Sequence, residues 1–105
     1  MFFIVPPAAP EIAVSGVSTN HIMLTWQQPS VAVDAYELHF RREYGQWDKE
    51  SISGDINSYK LSDLACGSSY QMYLLTFNRV GSGTPSKVVT AQTQGSGIVL
   101  QINIS

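Results

Sequence analysis

Apolar and polar residues alternate through several short stretches of the chain. From His21 to Gln27, Ile22, Leu24 and Trp26 share one side of an extended segment, and His21, Met23 and Thr25 share the other. The same two-residue period runs from Asp34 to Glu43, setting Tyr36, Leu38 and Phe40 against Glu37, His39 and Arg41. Between Ser69 and Arg79, Tyr70, Met72, Leu74 and Thr76 form one face, and Gln71, Tyr73, Leu75, Phe77 and Arg79 the other. That second face is less polar than a solvated face usually is. Tyr59, Leu61 and Leu64 supply a further apolar set, and Val89, Ala91 and Thr93 close the series.

Turn formers punctuate these stretches: Pro6, Pro7 and Pro10, then Gly16, Pro29-Ser30, Gly45, Gly54-Asp55, Gly67-Ser68, and Gly81 to Pro85. Segments of about five to ten residues, rich in Val, Ile, Thr and aromatics, lie between them. No stretch sustains a helical period with caps. The pattern predicts an all-β domain of seven short strands, folded as two antiparallel sheets packed face to face. Trp26 is then a core residue against the opposite sheet. The expected core comprises Trp26, Tyr36, Leu61, Leu64, Tyr70, Met72 and Leu74.

Composition narrows the functional classes. A chain of 105 residues suits one core rather than two, and 44% hydrophobic residues suffice to pack it. Net charge is −2, with basic and acidic residues scattered. That pattern lacks the basic footprint of a nucleic-acid binder and offers no face to an anionic membrane. No apolar run approaches the ~20 residues of a membrane-spanning helix. "MFFIVPP" has neither the basic lead nor the length of a secretory signal and reads as a domain edge. The single cysteine, Cys66, forbids an internal disulfide and a thiolate metal cluster within the chain.

Catalysis needs a nucleophile or an acid–base pair held beside a partner in a cleft. His21 and His39 fall on outward positions of different strands and read as solvated surface residues. Cys66 reads as a free thiol in a turn. The Gly81-Ser82-Gly83 and Gly95-Ser96-Gly97 triplets lack the following helix that a phosphate loop requires, so they are turns or linkers. No catalytic residue, cofactor or metal site, and no small-molecule substrate, is expected. Asn103-Ile104-Ser105 fits the glycosylation pattern, making Asn103 a candidate acceptor.

Four motifs in order resemble a fibronectin type III domain: "LTWQQP", "YELHFRRE", "LSDLACGSSY" and "NRVGSGTPS". The first is similar to the family's second strand with its core Trp, and the second to its third strand opening on a core Tyr. In the third, Leu64 and Tyr70 match the leucine and tyrosine of the family's tyrosine corner. Immunoglobulin domains instead pair cysteines on their second and sixth strands and carry the Trp on the third. The resemblance implies a lead over residues 1–9, the domain over 10–93, and a linker with a β-prone tail over 94–105. Within the superfamily, "YELHFRREYGQWDKE" and "LACGSSYQMYLLTFNRVGSG" are similar to repeats of Down syndrome cell adhesion molecule family receptors. That likeness implies an extracellular module of a membrane-anchored receptor, acting as stalk, spacer and protein contact, with neighbouring repeats or a second copy as partners. Type III modules also occur in enzymes and intracellular filament proteins, and that alternative stays open here. The loop Arg79-Val80-Gly81-Ser82 has no acidic residue to engage an integrin metal ion.

The candidate partner surface comprises His39, Arg41, Trp47, Tyr73, Leu75 and Phe77. Two readings compete for it. Arg41 stacked on Trp47 or Tyr73 would cover apolar area with a guanidinium stem. Left uncovered, the same residues would form a contact patch of the kind that marks interfaces.

Overall fold

The computed structural model describes residues 9–29 and 32–95. Its strands are β1 (Ile12–Val17), β2 (Ile22–Trp26), β3 (Ala35–Arg42), β4 (Asp48–Ser53), β5 (Ser58–Leu61), β6 (Ser69–Asn78), β7 (Gly81–Ser82) and β8 (Val89–Gln92). One sheet runs β1-β2-β5, and the other runs β4-β3-β6 with β7 and β8 both paired to β6. All pairings are antiparallel.

The seven-strand sandwich is thus realised with its last strand divided in two. Pro85 has no backbone N–H to give a ladder, and the chain leaves register between β7 and β8. Ser86 repairs the gap. Its N–H donates to the Leu74 carbonyl (2.9 Å), and its hydroxyl accepts from the Leu74 N–H (2.8 Å) in place of a backbone carbonyl.

The alternation read from sequence decides what is buried. Ile22, Leu24, Trp26, Tyr36, Leu38, Ile52, Leu61, Tyr70, Met72 and Leu74 form one core cluster between the sheets. The edge of the Trp26 ring meets Tyr36, with centroids 5.2 Å apart and planes at 62°. Leu64 departs from expectation, being half-buried and packed against this cluster rather than inside it. The reason is that β5 ends at Leu61. The turn that follows carries Leu64 to the end of the core, where only one side of the residue is covered.

That turn is tied down from three sides. The Tyr70 hydroxyl accepts the Ala65 N–H at 2.8 Å. Thr93 donates its hydroxyl to the Ala65 carbonyl (2.6 Å) and accepts the Ser68 N–H (2.9 Å). Gly67, at φ 57° in the left-handed region that favours glycine, donates its N–H to the Gln94 carbonyl. Tyr70→Phe should therefore cost about 1–2 kcal/mol, because the Ala65 N–H loses its acceptor. A urea melt of the variant that superposes on wild type would remove this bond from the account.

Tyr59 on β5 reaches across the open edge of the sandwich, its hydroxyl 3.4 Å from Glu50 Oε1 on β4. Burial, followed by the charge of Glu50 and its hydrogen bond, pushes the phenol above its ordinary value.

Candidate partner-binding face

Strand β3 and strand β6 are paired from Ala35↔Phe77 to Arg42↔Tyr70. Because inward residues alternate with outward ones, this register puts Ala35, Glu37, His39 and Arg41 beside Phe77, Leu75, Tyr73 and Gln71 on the outer face. On the β4 side, Lys49, Ser51 and Ser53 pair with His39, Glu37 and Ala35. Trp47, in the loop leading into β4, folds over the same surface.

The half of this face nearest Arg41 is a continuous ladder. The Arg41 Nε donates to Gln71 Oε1 (2.7 Å), and its guanidinium carbon lies 4.8 Å from the centre of the Trp47 ring. Trp47 meets Tyr73 edge-on at 5.1 Å. The Tyr73 ring stacks on His39, with centroids 4.7 Å apart and planes within 3°. His39 Nε2 then bonds Glu37 Oε1 at 2.8 Å, and Lys49 Nζ stands 3.6 Å from Glu37 Oε2. Each exposed contact of this kind contributes about 0.5–1 kcal/mol or less. Their joint effect is to order Arg41, Trp47 and Tyr73 in one connected ladder.

The other half centres on Leu75 and Phe77. Leu75 and Phe77 are half-buried. The register pairs Leu75 with Glu37, which is engaged by His39 and Lys49, and Phe77 with Ala35 and Ser82, with Ser51 and Ser53 one strand further out. Of the two sequence readings, the stacking of Arg41 on Trp47 is observed. Leu75 and Phe77 lie on the same outer face, half-buried beside Glu37 and Ala35.

Elsewhere, the chemistry-bearing residues stand apart. Cys66 is an exposed free thiol on the turn between β5 and β6. His21 Nδ1 shares a 2.7 Å hydrogen bond with Ser18 Oγ at the turn between β1 and β2. An open groove beside Trp26 is lined by Glu11, Ile12, Ala13, Thr25, Trp26 and Gln27, with Glu11 its only ionisable group and so no acid–base pair. Among the described residues no cluster of His, Cys, Asp and Glu is placed to hold a metal ion. Asn103 lies outside the described residues.

The sequence profile described as Fibronectin type III domain matches residues 6–92. The chain belongs to the fibronectin type III family. This fibronectin type III domain is similar to the "Cell adhesion molecule Dscam2" of Drosophila melanogaster, 33% identical over 87% of the chain. It is also similar to the "Cell adhesion molecule DSCAML1" of Homo sapiens, 34% identical over 87% of the chain. The chain spans only 4% and 5% of those relatives' lengths. Among solved structures, the chicken CNTN1 FN1-FN3 domains superpose with a TM-score of 0.76 at 22% identity, covering 85% of this chain and 31% of that one.

Three features of this fibronectin type III domain escaped the sequence reading. His39 is not a solvated surface histidine, since its side chain is only 17% exposed between Glu37 and Tyr73. The signal was present: Glu37 and His39 are two apart on a strand and so share a face. Gln71 was grouped with the outer face but not paired, although it orders Arg41 from the neighbouring strand. Tyr44 is 94% exposed in the turn between β3 and β4, at φ 65°.

Proposed function

We propose that this domain is a non-catalytic extracellular module of a cell-adhesion receptor, a spacer that also presents its β4-β3-β6 face to a protein partner. The observation that carries the reading is the similarity to two cell adhesion molecules over most of this chain and a small fraction of theirs. Such proportions suit one repeat in a long array. The grouping of Trp47, Tyr73, Leu75 and Phe77 with Arg41 on one outer face supports the contact role, because aromatic residues and Arg are enriched at interfaces. The partner under this reading is a neighbouring repeat or a second copy on the same cell, and the parent chain is anchored in the plasma membrane.

The test is the double variant Leu75→Ser with Phe77→Lys. Thermal melting should stay nearly unchanged, while self-association or the rigidity of a two-repeat fragment weakens in sedimentation and small-angle scattering. Unfolding of the variant would place those side chains in the core and contradict the face assignment. A folded variant with unaltered association and rigidity would reduce the face to a tolerated surface.

A further inference from the structure

Tyr44 sits where its own turn favours another residue. The turn from β3 to β4 closes through the Gly45 N–H on the Arg42 carbonyl (2.7 Å), and Tyr44 holds its third position at φ 65°. A turn with positive φ at that position alone takes glycine or asparagine there, because a Cβ crowds the following carbonyl. The ring gives the domain nothing in return. Tyr44 is 94% exposed, and among the described residues neither its ring nor its hydroxyl meets a partner. The base of the turn is fixed by the Glu43 N–H on the Ser69 carbonyl (2.8 Å), so the residue is held out at one place. An exposed side chain kept in an unfavourable backbone conformation points to a use outside its own fold.

The chain leaves the sandwich at the same pole. Arg42, Tyr70 and Ala91 form one row across β3, β6 and β8, and Ser69 pairs with Gln92 in the next. Tyr44 and Gln94 therefore both lie just past the strand ends, two strand spacings or about 10 Å apart. The exit is clamped. Gln94 donates its N–H to the Ser18 carbonyl in the turn between β1 and β2 (2.8 Å), and its carbonyl accepts the Gly67 N–H (2.8 Å). By sequence only Gly95, Ser96 and Gly97 then precede residues 98–105, in which Leu100, Ile102 and Ile104 alternate with Gln101, Asn103 and Ser105. Resting on the reading above of one repeat in an array, we propose that this pole seats the repeat that follows in the same chain, with Tyr44 as the anchor. Connectivity selects that occupant. Whatever the chain builds after Gly95 starts beside Tyr44, at an effective concentration that a separate partner does not match. A phenol on a fixed turn fits a shallow apolar pocket with a hydrogen-bond acceptor at its rim.

The experiment uses a fragment of this domain with the repeat that follows it, and beside it the 105-residue chain. Each is prepared as wild type and as Tyr44→Asn, which accepts the turn conformation and removes the ring. Amide relaxation of the wild-type fragment should give one correlation time for both repeats. Tyr44→Asn should split it into two shorter ones, and small-angle scattering should show the distance distribution broadening. In the 105-residue chain the melting midpoint should hold or rise by a few degrees as the backbone strain is relieved. A wild-type fragment whose repeats tumble independently overturns the proposal, as does a variant fragment that still tumbles as one body. A Tyr44→Asn chain that melts lower also overturns it, since the ring would then serve its own domain. If Leu75→Ser/Phe77→Lys frees the repeats or abolishes self-association while Tyr44→Asn changes nothing, the pole is overturned alone and the contact reading of the β4-β3-β6 face stands. The reverse result, with only Tyr44→Asn freeing the repeats, supports the pole and removes that face from the joint.

Discussion

Replacing Trp26 with alanine should lower the unfolding free energy by about 3–5 kcal/mol. Trp26 closes the β1-β2-β5 sheet against the other one. It is 5% exposed, pairs with Ile12 across β1, and sets its ring edge against Tyr36. Alanine removes the contact between the sheets at that level, and the neighbours cannot collapse into the space. Ile22 and Leu24 are fixed by their own strand, and Tyr36 by its pairing with Thr76 and Ile52. A domain of this size has about 5–15 kcal/mol in total, so the variant would sit close to unfolding at room temperature. Trp26→Phe keeps an aromatic edge on Tyr36 and should recover more than half of the loss. The check is the midpoint of guanidinium unfolding for both variants at unchanged slope. An alanine variant within 1 kcal/mol of wild type would mean that the sheets are held elsewhere.

Legibility of the fold followed burial. Strands β2 and β6 bury one face almost throughout and β3 buries Tyr36 and Leu38, so their side chains must alternate, and the buried residues of β2 and β6 are readable from the sequence. Strand β4 was not. Its only buried residue is Ile52, because it is an edge strand whose other inward positions meet solvent or, as with Glu50, the rim of the sandwich. A strand with one buried side chain leaves no period to find, and its charged residues serve instead to blunt the edge. The division of the last strand was half legible. Pro85 announces a break, but the substitution of a serine hydroxyl for a ladder carbonyl at Leu74 depends on a neighbour twelve residues away. The same limit governs the face. Its membership could be read from parity, and Arg41 over Trp47 from the chemistry of the pair. The ordering of its side chains could not, since Arg41 is held by Gln71 and His39 is stacked on Tyr73 from a strand thirty residues away.

Gly54→Ala should destabilise the domain by about 3 kcal/mol and disturb the Ala35–Phe77 end of the face. Gly54 follows β4 directly, where the chain crosses the segment leading into β3, and a Cβ built there would lie 2.0 Å from the Val33 carbonyl oxygen. The next atoms, the carbonyl carbons of Val33 and Asp34, would be at 2.7 and 2.8 Å. All three are backbone, so no side chain can swing aside to relieve the clash. Segment 33–34 must move, and it is held by two hydrogen bonds, from the Gly54 N–H to the Asp34 carbonyl (3.2 Å) and from the Asp34 N–H to the Phe77 carbonyl (2.8 Å). Overpacking of this kind costs about 1–3 kcal/mol, and each weakened bond adds about 1. The effect should also travel. Asp34 and Phe77 flank Ala35 at one end of the face, so their amide signals should shift in a two-dimensional NMR spectrum while those of Arg41 and Gln71 stay in place. An alanine variant that melts like wild type would show that the two chain segments part without loss. One that is destabilised yet keeps the Asp34 and Phe77 signals unmoved would show that the strain is absorbed within β4, with the face untouched.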